Sequence, residues 1–208
     1  IDIARFGNTI NEILDRETIT NESVLRQYDE AVKAYKRYYQ YEKISGMERR
    51  TTEEIPEEAF REAIANALVH RDWSVNSHVR ISMYKDRIEI NSPGGLPRGI
   101  SADEYLNGEI SCLRNPILGN VFFRLHYIEM FGTGIKRIME AYKTADRKPK
   151  FNITDNIISV VLPTLTTLHN ISSDEAIIIN TLKDSGMLAS SELVANTGFS
   201  KAKTIRLI

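Results

Sequence analysis

Cysteine is all but missing: Cys112 is the single one in 208 residues. That excludes an internal disulfide and a cysteine-based zinc cluster, and it suits a reducing cytoplasm. Charge of one sign is missing too. The formal net charge is -1, so no global basic field announces nucleic acid, and any such surface has to be local. No apolar run reaches the roughly 18 residues of a membrane span, and no signal peptide is visible, so no membrane association is expected. Hydrophobic residues make up 42% and charged residues 26% of the chain. Those shares are ordinary for a globular protein with one large or two small domains. The chain opens at Ile1 without a methionine and stops at Ile208 inside a helical pattern; a fragment of a longer protein is the expectation.

The stretch around which the rest is organised runs from Pro56 to Asp72. Its Glu62, Asn66 and His70 are spaced i, i+4, i+8, so on a helix they stand in one row. Phe60, Ile64, Ala67 and Leu68 fall on the opposite side, toward a core. Glu57 and Glu58 suit the positive end of the helix dipole, and Pro56 suits a helix start. A carboxylate, an amide and an imidazole in one row can face a polar ligand, or can form a solvated stripe.

Before this stretch, residues 1–11 read as the tail of an earlier unit. Asn21 to Tyr41 reads as a helix through Val24, Leu25, Tyr28, Val32, Tyr35 and Tyr39. Arg37, Tyr38, Tyr39 and Tyr41 could stack on nucleic acid, but packing on an amphipathic helix is the preferred reading. Residues 46–54 look like a polar linker. After it, residues 79–84 and 87–91 alternate as a hairpin, and 151–154 with 157–162 form another. The connection from Leu96 to Arg114 has weak patterning, as functional or mobile loops do. Asn115 and Pro116 open a helix over 116–128. Beyond a polar connector, three short helical patterns with a turn at Gly198 and a cap at Ser200 make a helix-turn-helix arrangement.

Three points carry chemistry. The carboxylate of Glu62 can orient or deprotonate water, and the amide oxygen of Asn66 suits Mg2+. The strand-ending turn Asn91-Ser92-Pro93-Gly94-Gly95 lets a planar group approach the backbone. Gly132-Thr133-Gly134 opens a helix, where bare N–H groups bind phosphate. His70 could sit near the phosphates, but capping the helix end is favoured. Arg114 is equally a phosphate contact or a surface arginine. Cys112, without a His/Asn partner, is given no chemistry.

This order of elements resembles the GHKL (Bergerat-fold) ATP-binding domains of gyrase, histidine kinases and MutL. The resemblance implies that Glu62 activates water in members that hydrolyse ATP, and that Asn66 holds Mg2+. It further implies that an Asp-x-Gly-x-Gly turn reads adenine, that the following loop is an ATP lid, and that the last Gly-x-Gly meets the phosphates. Asn91 stands here in place of the Asp, and Pro93 in place of the first glycine. Closer still, EAFREAIANALVHRDWS, DRIEINSPGGLP, RNPILGNVFF and IEMFGTGIKRI resemble transcriptional regulators, the so-called RecG-related proteins, that join an AlbA/Schlafen-like domain, a GHKL-like domain and a winged helix. No G-x-x-x-x-G-K-[S/T] phosphate loop occurs, so a helicase is not expected.

The fold expected is α/β (α+β): a two-layer GHKL-like sandwich of helices on a mixed sheet, then a partial helix-turn-helix. Domains are expected at 1–50 (the end of the Schlafen/AlbA-like domain with a helical connector), 51–165 (GHKL-like) and 172–208 (partial winged helix). The function expected is an ATP-binding sensor module of a DNA-binding transcriptional regulator. The alternatives are a slow Mg-dependent ATPase with Glu62 as base, or a nucleotide-free scaffold that dimerises and positions the helix-turn-helix. The nucleotide site would use Asn66, His70, Asn91, Gly94, Gly95, Arg114, Gly132, Thr133 and Gly134. DNA contacts would come from Ser200, Lys201, Lys203, Thr204 and Arg206. ATP and Mg2+ are the cofactors expected, and DNA and a second copy of the chain the partners.

Overall fold

The computed structural model describes residues 1–45, 48–108, 112–129, 132–165 and 173–207. They belong to two compact units, 1–166 and 167–208. The first runs β1 (Asp2–Phe6), β2 (Ile13–Thr18), α1 (Val24–Tyr39), β3 (Gln40–Ser45), β4 (Glu48–Glu53) and α2 (Glu57–Val69). It continues with β5 (Arg80–Met83), β6 (Arg87–Pro93), α3 (Ala102–Asn107), α4 (Pro116–Arg124), α5 (Gly134–Ala141), β7 (Lys150–Ile153) and β8 (Ile157–Pro163).

Six strands form a mixed sheet in the order β2-β1-β5-β6-β8-β7. Only the β1–β5 pair is parallel. Successive side chains on a strand point to opposite faces. Ile81 and Met83, Ile88 and Ile90, and Ile158, Val160 and Leu162 are therefore buried on one face, while Arg80, Glu89 and Asn91 turn to the other. Helix α2 lies on the buried face. Its alanines Ala59, Ala63 and Ala67 have little side chain to hold it off the neighbouring elements, and Phe60, Ile64 and Leu68 are wholly buried. Phe60 stacks on Tyr35 of α1 at 4.6 Å, which ties the two helices into one layer. This is the expected two-layer sandwich.

Three segments differ from their sequence reading. Residues 1–11 supply β1, hydrogen-bonded between β2 and β5, so residue 50 is not a division in this compact unit. Residues 48–53 are no linker: they pair with 40–45 as a two-stranded ribbon, and α1 accordingly ends at Tyr39. The weakly patterned connection contains α3, fixed by a capping box. Ser101 Oγ accepts from Glu104 N at 3.2 Å, and Glu104 Oε2 accepts from Ser101 N at 2.7 Å. Asn115 precedes α4 but does not cap it. Its amide donates to Val69 O and Arg71 O at 2.7 and 2.8 Å, satisfying carbonyls at the end of α2 instead.

The second unit holds α6 (Ser173–Ser185), α7 (Ser190–Thr197) and α8 (Lys201–Leu207). Gly198, at φ +69°, makes the turn after α7, a backbone angle that glycine adopts without strain. Ser200 Oγ accepts from Lys203 N at 3.3 Å, the expected cap. Among the described residues of the three helices, Ile178, Leu193 and Thr204 are buried.

Candidate functional site

The polar row of α2 meets the glycine turn before α5. A methyl group on Gly134 would lie 2.5 Å from Glu62 Oε1 and 2.7 Å from Asn66 Nδ2. Only a residue without Cβ lets the start of α5 come this near. Glu62, Asn66, His70, Tyr105, Gly132 and Gly134 line one cleft, with a volume of about 60 Å³. Beside it an apolar slot runs between α2 and the sheet, walled by Ala63, Ala67, Ile90, Ser92, Ile158 and Val160. Asn66, His70 and Tyr105 border both spaces.

Electrostatics follow from burial. Glu62 is 5% exposed, and desolvation raises its carboxyl pKa. Arg137 and the Asn66 amide, which donates to Glu62 Oε1 at 3.2 Å, pull the other way. Arg137 itself pairs with Glu129 at 3.2 Å. His70 sits at the C-cap of α2, its N–H bonded to Asn66 O. Burial, with Arg114 nearby, pushes the imidazole down to about 4, so it is neutral at pH 7. The capping position was expected. A favourable charge on the helix dipole was not realised, because the ring is neutral.

Other expected residues lie elsewhere. Asn91 is on the far face of β6 and accepts from Ser159 Oγ at 2.5 Å; it borders a separate cavity with Arg80 and Ile157. The alternation that buries Ile88 and Ile90 turns Ser92, not Asn91, toward α2. Ser92 is 4% exposed, and its hydroxyl donates to Ala67 O at 2.7 Å. Gly95 packs on the β7–β8 turn, where a Cβ would come within 2.5 Å of Asp155 O. Gly94, at φ +97°, lies against Asp72. Arg114 ties this corner together, pairing with Asp72 and donating to Gly95 O at 2.6 Å. The structure therefore gives Gly94, Gly95 and Arg114 the task of closing a corner and does not line the cleft with them. Thr133 is the N-cap residue of α5 without a side-chain capping bond. Asn66 keeps its amide oxygen free of any hydrogen bond among the described residues. Among those residues there is also no cluster of three or more His, Cys, Asp or Glu that could hold a metal.

Sequence reading missed Ser92, Tyr105 and Glu129. The signal for Ser92 was the parity of its strand. Tyr105 is an aromatic residue on α3 whose phenol is raised by burial, and its stretch had no periodicity to mark it.

Residues 76–162 match an ATPase-type family model described as "Putative ATP-dependent DNA helicase recG C-terminal". The match takes in Ser92, Tyr105 and Gly132–Gly134, covers less than half of the chain, and begins after Glu62 and Asn66. Among solved structures, the DIP2311 protein from Corynebacterium diphtheriae superposes with a TM-score of 0.69 at 21% identity. The likeness covers 100% of this chain and 46% of that one, so this chain spans less than half of that protein's length. At such identity it shows the fold. No curated protein matches the chain. Among the described residues no helix is long and apolar enough to cross a membrane.

Proposed function

We propose that the cleft between α2 and α5 binds ATP with Mg2+, and that the chain is the nucleotide-sensing part of a DNA-binding transcriptional regulator. One observation carries the nucleotide reading: Gly134 abuts both Glu62 and Asn66, so a phosphate-type turn and an acid–amide pair converge on one space. N–H groups at the start of α5 suit phosphate oxygens. Asn66 Oδ1 and the Glu62 carboxylate are oxygen donors beside them. Mg2+ needs no more than one or two protein oxygens, since it keeps waters and phosphate oxygens. When bound, the ion would neutralise phosphate charge. The slot by Ser92 has apolar walls of the kind a base packs on, but at about 20 Å³ it has to widen to take one.

A slow ATPase is the second reading, favoured by Glu62. A buried carboxylate of raised pKa, held by Asn66, can accept a proton from an attacking water. In either case α3 has to move. A cleft of about 60 Å³ is far below the roughly 300–1,000 Å³ of small-molecule sites.

Isothermal titration with a non-hydrolysable ATP analogue and Mg2+ tests the reading. Saturable binding at one site, lost in Asn66→Ala, is the expected result. Absence of binding by the unaltered chain leaves the scaffold alternative. If ATP turns over, Glu62→Ala should abolish turnover and leave binding largely intact.

A further inference from the structure

A second cavity, about 360 Å³, lies at the carboxyl ends of the parallel pair β1 and β5. Its size falls within the range of small-molecule sites, and the carboxyl ends of parallel strands are where open α/β sheets habitually bind ligands. None of its lining residues borders the cleft of Glu62. The walls are held in place by their own contacts. Phe6 and Tyr84 stack with ring centres 5.0 Å apart. Tyr39 donates to Tyr84 O at 2.5 Å. The Arg5 guanidinium lies 4.4 Å from the centre of the Tyr38 ring.

The charges around this cavity balance in number, but among the described residues they are not paired with one another. Arg5 and Lys85 border it, and so do Glu12 and Glu54. Among the described residues neither cation makes an ion pair, Glu54 makes none, and the carboxylate of Glu12 accepts only from the backbone N–H of Asn8 at 3.0 Å. Elsewhere on the same unit, charges do find partners: Arg16 with Asp2, Lys36 with Glu57, Arg87 with Glu89. An anionic ligand would satisfy Arg5 and Lys85 but face two carboxylates. A cationic ligand would meet the reverse. A molecule bearing both charges matches all four groups.

We infer that this cavity binds a small zwitterion of the amino-acid type, its carboxylate toward Arg5 and Lys85 and its ammonium toward Glu12 and Glu54. The site is independent of the nucleotide reading and stands or falls separately. The test is thermal unfolding of the chain with each free proteinogenic L-amino acid at millimolar concentration, followed by titration calorimetry of the best binder. A subset should raise the melting temperature, as any ligand of the native state does. Arg5→Gln and Glu54→Gln should each weaken binding by about tenfold or more, the usual cost of losing a charged hydrogen-bond partner. The N-acetylated and amidated forms of the same amino acid should lose as much. Lys85→Gln, on an exposed turn, provides the same test if Arg5→Gln lowers the melting temperature by itself. No shift with any amino acid overturns the inference. So does a shift that survives all three substitutions, or equal binding of the N-acetylated form.

Discussion

At the scale of single residues, Gly134 and His70 make the sharpest demands. Gly134 has an ordinary backbone angle, so its glycine is required by proximity and not by conformation. In Gly134→Ala the new methyl group would meet Glu62 Oε1 at 2.5 Å, and the flexible end of Glu62 would have to give way. The expected cost is about 1–3 kcal/mol, as for other overpacked sites, read by urea denaturation. Binding of the ATP analogue should fall with it. Unchanged stability and unchanged binding would show that α5 does not rest on the acid–amide pair. His70 predicts a pH dependence. Its imidazole is held at about 4 when folded against an ordinary 6.5. Between those values the unfolded chain takes up a proton that the folded one refuses, so this contribution is complete above pH 6.5 and is lost as pH falls toward 4. Glu62, shifted upward by burial, works in the opposite sense over the acid range. Subtracting the stability curve of His70→Gln from that of the unaltered chain should leave a slope between pH 6.5 and 4. A flat difference would mean that the ring is hydrated and titrates normally.

At the scale of elements, legibility in the sequence tracked local periodicity. The hairpins β5–β6 and β7–β8 and the helix α2 announce themselves, because their buried and exposed positions repeat within a few residues. Strand β4 does not: ERRTTE is largely exposed on both faces, so no alternation exists to read. Strand β1 gets its place from a parallel pairing with β5, far along the chain, which no local pattern encodes. The acid–amide row inside α2 and the Gly-x-Gly turn before α5 were readable together through the order of motifs along the chain, each with its own fixed spacing. Asn91 was misplaced because motif register outweighed strand parity, although Ile88 and Ile90 already marked Ser92 as the inward residue. Helix α3 shows both sides of this. The S-x-x-E of its capping box is a plain start signal, yet no apolar stripe follows. With Tyr105 bordering both the cleft and the slot, α3 would stand in the way of the proposed nucleotide. Tyr105→Ala should therefore tighten binding of the ATP analogue several-fold, because a larger share of molecules is open to it. Calorimetry of the variant against the unaltered chain decides the point. Weaker binding would make Tyr105 a wall against which the base packs.

At the scale of the whole molecule, the chain joins the unit that holds the cleft to a three-helix unit, and the proposed sensor would need the second to meet DNA. The five residues expected to do so on the last helix are not equivalent. Thr204 is fully buried, and its hydroxyl returns to Ser200 O at 3.1 Å, so it packs the unit and cannot reach a groove. Ser200 caps α8. Lys203 pairs with Asp174 at 2.8 Å and lies over the Phe199 ring at 4.1 Å, so part of its charge is already used. Lys201 and Arg206 are exposed, and neither makes an ion pair among the described residues. The chain is neither acidic nor basic overall, so only such local cations can release counterions from a duplex. Replacing Lys201 and Arg206 together by alanine should weaken DNA binding across sequences. It should also flatten the plot of log affinity against log salt by about 0.9 for each phosphate that is no longer neutralised. Lys203→Ala should act more on the stability of the three helices than on the salt slope. A salt titration of duplex binding separates these outcomes. An unaltered slope in the double variant would place any DNA-binding surface away from α8.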